Sequence, residues 1–215
     1  TLSESLFYNC GSLKSIVVPD SVTSIEKEAF SECKALENVT LPKKLTTIKV
    51  HTFWDCVALP SITIPEKVTV IEGEAFGYCS ALKSITLPAG LKKIGTTNFA
   101  TCREMQDVYY TGTAAQWDAI TVANANWYLQ HAALHCAGSS ALSYMVTFDA
   151  AGGQTDVAKK TVTNGQPYGT LPTAKKEGYL FQGWYTSSEG GTKISASTTV
   201  SLTAAQTLYA RWQKP

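Results

Sequence analysis

The chain has 215 residues, of which 44% are hydrophobic and 10% aromatic, enough apolar material for the core of one or two soluble domains. Its 18 basic and 17 acidic side chains leave a net charge of +1, and neither half is a polycation: 11 basic and 13 acidic residues lie up to position 137, then 7 and 4. That excludes the electrostatic footprint of a nucleic-acid or anionic-membrane binder, and no apolar run reaches the length of a spanning helix. The sequence opens at Thr1 with neither a start Met nor a signal-peptide pattern, so a piece of a longer protein is expected.

From its first residues the chain repeats itself. Phe7, Phe30, Phe53, Phe76 and Phe99 recur every 23 positions, and so do Cys10, Cys33, Cys56, Cys79 and Cys102. One fixed period of this size predicts a solenoid, in which a short unit stacks on copies of itself to bury a continuous core. In register the coils have the form L-x-x-I-x-L-P-x-x-V-x-x-I-x-x-x-x-F-x-x-C. The first half alternates apolar and polar residues and is rich in Ile, Val and Thr, which predicts a half-buried strand closed by Pro19, Pro42, Pro65 or Pro88. A second short extended piece follows, and the Phe and Cys three residues apart predict one helical or 3₁₀ turn on the back.

After Cys102 the pattern changes to MQDVYYTGTAAQWDAI, with Tyr110 in place of the inward aliphatic and Thr111 in place of the proline. A bulkier, aromatic coil suits a terminal cap, which we place at about 103–137 and complete with Asn126 to Cys136. At the other end Leu6, Phe7, Leu13 and Ile16 have no polar cap before them, so an apolar stacking edge and further repeats upstream are expected. Five of the six cysteines share one repeat position. Stacked side chains in register run parallel and hold their Cβ atoms too far apart for a disulfide, so we read Cys10, Cys33, Cys56, Cys79 and Cys102 as a structural column of thiols.

Over roughly the first 120 positions these coils resemble the BspA-like, 23-residue subclass of leucine-rich repeats. The resemblance implies a right-handed solenoid with parallel strands on one face, of the kind carried by surface proteins of bacteria and some protists.

Around Ala137 to Ser143, AGSSALS, small residues dominate and the period is lost, which places a linker at 138–144 and a second domain at 145–215. There Val146 and Phe148 alternate, Tyr179, Phe181 and Tyr185 share one parity, and Leu208, Ala210 and Trp212 share another; Gly152-Gly153, Asn164-Gly165 and Gly190-Gly191 supply the turns. The segments VTFDAAGG, GYLFQGWYT and TLYARW resemble the Listeria–Bacteroides repeat, also called the internalin B-repeat. That resemblance implies a small β-grasp-like module of secreted bacterial proteins, so the expected fold class is mainly β throughout.

Little in the chain points to chemistry. His131 and His135 stand four apart beside Cys136 and would share a helix face as metal ligands, yet no third ligand or intervening acid joins them, and packing of the cap is the plainer reading. His51 reads as a surface substitution, and Trp54 as a partly exposed position on the back. Trp184 and Trp212 could stack on sugars, but a small β-module needs its few large aromatics for its core. There is no nucleophile elbow and no glycine-rich phosphate loop, so we expect no enzyme, cofactor or metal.

The expected function is binding or adhesion at a bacterial cell surface, or from a secreted protein, with an extracellular protein or glycan as partner. The alternative is a structural stalk without its own ligand; a metal or enzymatic site near His131 is a remote third. Alternation aims two columns of the strand face outward: Ser15, Asn38, Ser61, Ser84, Asp107, and Val17, Thr40, Thr63, Thr86, Tyr109. Candidate binding residues are therefore Ser61, Thr63, Ser84, Thr86, Asp107 and Tyr109, with the last two as anchors at the capped end.

Overall fold

The computed structural model describes residues 1–137 and 141–215, in two compact units, Thr1–Gly138 and Ser139–Pro215. In the first unit the opening coil carries β1 (Ser15–Val17), the second carries β2 (Asn38–Thr40) and β3 (Thr47–Ile48), and the third carries β4 (Ser61–Thr63) and β5 (Val70–Ile71). The fourth has β6 (Ser84–Leu87) and β7 (Lys93–Ile94); β8 (Asp107–Tyr110), α1 (Ala114–Asp118), β9 (Thr121–Val122), α2 (Trp127–His131) and β10 (Ala133–Cys136) complete the cap.

All pairings here are parallel: β1 with β2, then β4, β6, β8 and β10 in one sheet and β3, β5, β7 and β9 in another. Each period advances one strand position, so Ile62, Ile85 and Val108 pair in a buried row, and Ile48, Ile71 and Ile94 make a second row.

The back of the coil differs from the expected helical or 3₁₀ turn. In the second coil the amides of Thr52, Trp54 and Cys56 close turns onto Lys49, His51 and Phe53, while those of Phe53 and Asp55 cross to Ala75 and Gly77 of the next coil at 2.8 Å. Donors thus alternate between closing a turn and bonding to the neighbouring coil, which a helix could not do. The alternation requires positive φ on either side of the Phe, as at Glu28, His51, Glu74 and Thr97, and again at Glu32, Asp55 and Tyr78. None of these is glycine, so regular stacking is kept against a local steric cost at every coil.

Inside this wall the phenylalanines stack from Phe7 to Phe99 with ring centroids 5.3 to 5.6 Å apart and nearly parallel planes. The thiols run beside them. Cys33, Cys56 and Cys79 each donate from Sγ to the carbonyl oxygen of Phe7, Phe30 and Phe53, one coil back, at 3.1 to 3.2 Å. All six cysteines are free, and five are buried; Cys10, in the first coil, is partly exposed. Burial raises the thiol of Cys33 to about 11 and that of Cys102 to about 12, and also pushes Cys56 and Cys79 well above the ordinary thiol value.

Buried amides finish the stack. Asn126 accepts from the Phe99 amide at 3.2 Å and donates to the Gly95 and Ala123 carbonyls at 2.8 Å, taking over the bonds another coil would make. Tyr110 and Trp117, edge to face at 5.4 Å, cover the apolar end, and the Tyr110 hydroxyl donates to the Ala89 carbonyl at 3.0 Å. A capping box between Thr113 and Gln116 starts α1.

The second unit contains β11 (Ser143–Asp149), β12 (Gln154–Thr155), β13 (Lys159–Thr163), β14 (Ala174–Lys175), β15 (Leu180–Tyr185), β16 (Lys193–Ile194) and β17 (Gln206–Gln213). Its main sheet has the order β13-β11-β17-β15-β16, with β11 and β17 parallel at the centre and the other pairs antiparallel. No helix is among its described residues. Of the expected linker, 138–140 lie outside the described residues, and Ser143 and Tyr144 belong to β11.

Trp184 is buried among Val146, Phe148, Leu208 and Ala210, and its indole N–H donates to the Pro172 carbonyl at 2.8 Å. Trp212 packs against the same core and donates to the Ala150 carbonyl. Tyr179, Phe181 and Tyr185 do not share one face. A bulge between Phe181 and Gly183, where Gly183 has φ +126°, shifts the alternation; Trp184 turns inward, and the Tyr185 ring lies under the Arg211 guanidinium at 4.1 Å.

Three outcomes follow from the solenoid's turns and thiols. Thr97 is β-branched at φ +60°, and Thr97→Gly should raise stability by about 1 kcal/mol in denaturant unfolding, by removing that steric cost. In the native protein a thiol reagent should label Cys10 alone, and denaturation should release all six. Between the ordinary 9.0 and the raised value of about 11, an unfolded Cys33 has lost a proton that the folded one keeps. Stability should therefore hold below pH 9.0 and fall as the pH rises above it, less steeply in Cys33→Ala, as read from denaturant midpoints along a pH series.

Candidate functional site

Parallel pairing sets the outward residues of β4, β6, β8 and β10 in two rows: Ser61, Ser84, Asp107 and Ala133, and beside them Thr63, Thr86, Tyr109 and His135. Ser61 and Thr63 are exposed, Ser84, Thr86 and Asp107 are half-buried, and Tyr109 is 43% exposed. All six expected binding residues therefore lie on one continuous sheet.

The capped end holds more than the sequence suggested. The His135 ring stacks on Tyr109 with centroids 4.5 Å apart, and its Nε2 donates to Asp107 Oδ1 at 2.7 Å. His135 thus fixes both neighbours: it holds the carboxylate by a hydrogen bond and backs the phenol ring with its own plane. The second carboxylate oxygen and the outer face of Tyr109 are the groups left to meet a partner.

The helical reading of His131 and His135 is corrected here. α2 ends at His131, whose Nδ1 lies 2.7 Å from the Trp127 carbonyl and whose ring stacks on Trp127 at 3.9 Å. Ala132 is already extended, so His135 falls in the following strand and the two rings share no face. The buried Leu134 and Cys136 on either side of His135 were the available strand signal. Among the described residues no group of three His, Cys, Asp or Glu side chains is placed to hold a metal ion.

The longer outward columns are interrupted. No hydrogen bond joins β2 to β4, so the rows run from Ser15 to Asn38 and start again at Ser61. The cause is Pro60, which stands where the other coils have Lys14, Glu37, Lys83 and Gln106. The amides of Glu37, Lys83 and Gln106 each donate to the preceding coil at 2.8 Å, whereas proline has no N–H and puts its ring carbons in that place. On the back, Trp54 and Tyr78 meet edge to face at 5.3 Å, and His51 lies between Glu28 and Glu74.

The BspA type leucine-rich repeat family matches residues 1–125 in six copies, more than half of the chain. The chain belongs to the BspA-type leucine-rich repeat family. The Listeria–Bacteroides repeat domain matches residues 144–211, after this BspA-type region. Among solved structures, a leucine rich cell surface protein from Faecalibacterium prausnitzii A2-165 is 37% identical, with a TM-score of 0.50, over 51% of this chain and 29% of its own. A leucine-rich repeat protein of T. pallidum is 35% identical, with a TM-score of 0.48, over 50% of each chain. The chain thus spans half or less of the length of these two proteins. No curated protein matches it.

The two families are typical of bacterial surface proteins and suggest an interaction or structural role for this BspA-type chain. Among the described residues no helix is long and apolar enough to cross a membrane.

Proposed function

We propose that the solenoid binds an extracellular protein or glycan at a bacterial cell surface, through the capped end of its strand face. The observation that carries this is the Tyr109–His135–Asp107 cluster, an exposed ring and a carboxylate held in place by one imidazole. Elsewhere this sheet offers the short hydroxyls of Ser61, Thr63, Ser84 and Thr86, the ordinary surface of a solvated β-sheet. At the cap a preset aromatic face can stack on a sugar ring or an aliphatic side chain while the carboxylate accepts its hydrogen bond, at little cost in side-chain ordering. No step of this reading involves covalent chemistry.

A glycan array and a panel of extracellular-matrix proteins, probed with the whole chain, would identify the partner. In calorimetry with the ligand so found, Tyr109→Ala and Asp107→Ala should each weaken binding by about tenfold or more, while Lys93→Ala, exposed on β7, leaves it unchanged. Equal losses from all three variants would move the site elsewhere. A blank result in both screens would leave the solenoid as a spacer.

A further inference from the structure

The gap between β2 and β4 is a cavity of about 700 Å³, within the size range of ligand sites. Its floor is apolar, with Val39, Leu41, Ile62 and Ile64, and Asn38, Thr40, Ser61 and Thr63 line its rims. The coils on either side remain joined elsewhere, by β3 to β5 and by the Phe53–Phe76 stack, so the stack parts on the strand face alone.

Both rims carry backbone groups that the solenoid leaves unpaired. On β4, the Pro60 carbonyl and the Ile64 amide bond to Ser84 and Thr86 of the next coil. Alternation along the strand therefore turns the N–H and C=O of Ser61 and Thr63 toward the gap. On β2, Asn38 donates to Lys14 and Thr40 accepts from Val18, so Val39 presents its N–H and C=O from the opposite rim. At one end stand Glu66 and Lys67, and Lys43, which pairs with Asp20 at 3.7 Å; their charges are mixed.

We infer that this gap is a recognition slot for an extended, uncharged peptide segment. Cα atoms of β2 and β4 still approach within 8 Å, and a strand between them needs about 9.5 Å. The peptide backbone therefore pairs with the free edge of β4 as these unbonded strands part further, and an apolar side chain enters between Val39 and Ile62. A main chain supplies the alternating donors and acceptors that the rim lacks, whereas a flat apolar ligand would leave them unpaired. The inference rests on the strand face being the recognition surface, but places a second contact two strands from Tyr109.

The probe is an acetylated, amidated Asn-Val-Thr-Leu peptide, the sequence of β2 and its next residue, titrated into the whole chain. Its binding should slow hydrogen exchange at the Ser61 and Thr63 amides, and an N-methylated version of the peptide should not bind. Pro60→Lys restores the missing donor and closes the ladder; it should protect the same amides without peptide and weaken peptide binding by about tenfold or more. The wild-type exchange measurement stands even if that variant misfolds. No saturable binding, equal binding to the N-methylated peptide, or unchanged affinity in a folded Pro60→Lys protein would overturn the slot. Loss in Tyr109→Ala with no change in Pro60→Lys would likewise overturn it, leaving the capped-end reading intact.

Discussion

The structure depends on backbone donors that one coil gives to the next. A coil of 23 residues is too short to satisfy its own amides, so it borrows carbonyls from its neighbour along β-ladders and the turn-rich back. The period is the sequence expression of that need, since a donor meets its acceptor only if each coil has the same length. Phe, Cys and Ile then fall into columns because the backbone ladder has already placed them. The positive-φ residues at Glu28, His51 and Glu74 show which demand is stronger: the chain accepts a disfavoured backbone conformation at each turn to keep its amides aimed at the next coil.

Much of the fold was legible because repetition multiplies weak signals. One L-x-x-I run is ambiguous between strand and helix, but its recurrence with a following proline reads as stacked parallel strands. The back of the coil was harder to read. Phe and Cys three apart suit a helical turn, and nothing in the side chains of Glu28 or Tyr78 announces a left-handed backbone, which glycine or asparagine would have done. In the second unit, alternation placed Val146 and Leu208 inside, but the Gly183 bulge moved Trp184 into the core and Tyr185 out of it.

The capped end was partly legible. Alternation put Asp107 and Tyr109 on the outer face, while the imidazole that links them comes from 28 positions beyond Asp107 and depends on where α2 stops. Pro60 could be seen in the sequence, but a second proline in a proline-bearing coil looks unremarkable until the N–H it lacks has a named acceptor. Once Glu37, Lys83 and Gln106 are seen donating at the same position, the interruption follows from one missing hydrogen.

That missing hydrogen also matters mechanically. Where the third and fourth coils meet, tension along the stack is shared by the strand sheet, the second sheet and the back wall. Between the second and third coils only the last two carry it. Hydrogen bonds pulled together resist more than the same bonds pulled in turn, so the weakest junction sets the load at which the whole column yields. A single ring closure at Pro60 therefore leaves this junction, like that between the first and second coils, held on two sides instead of three, with two coils on one side of it and the capped end on the other.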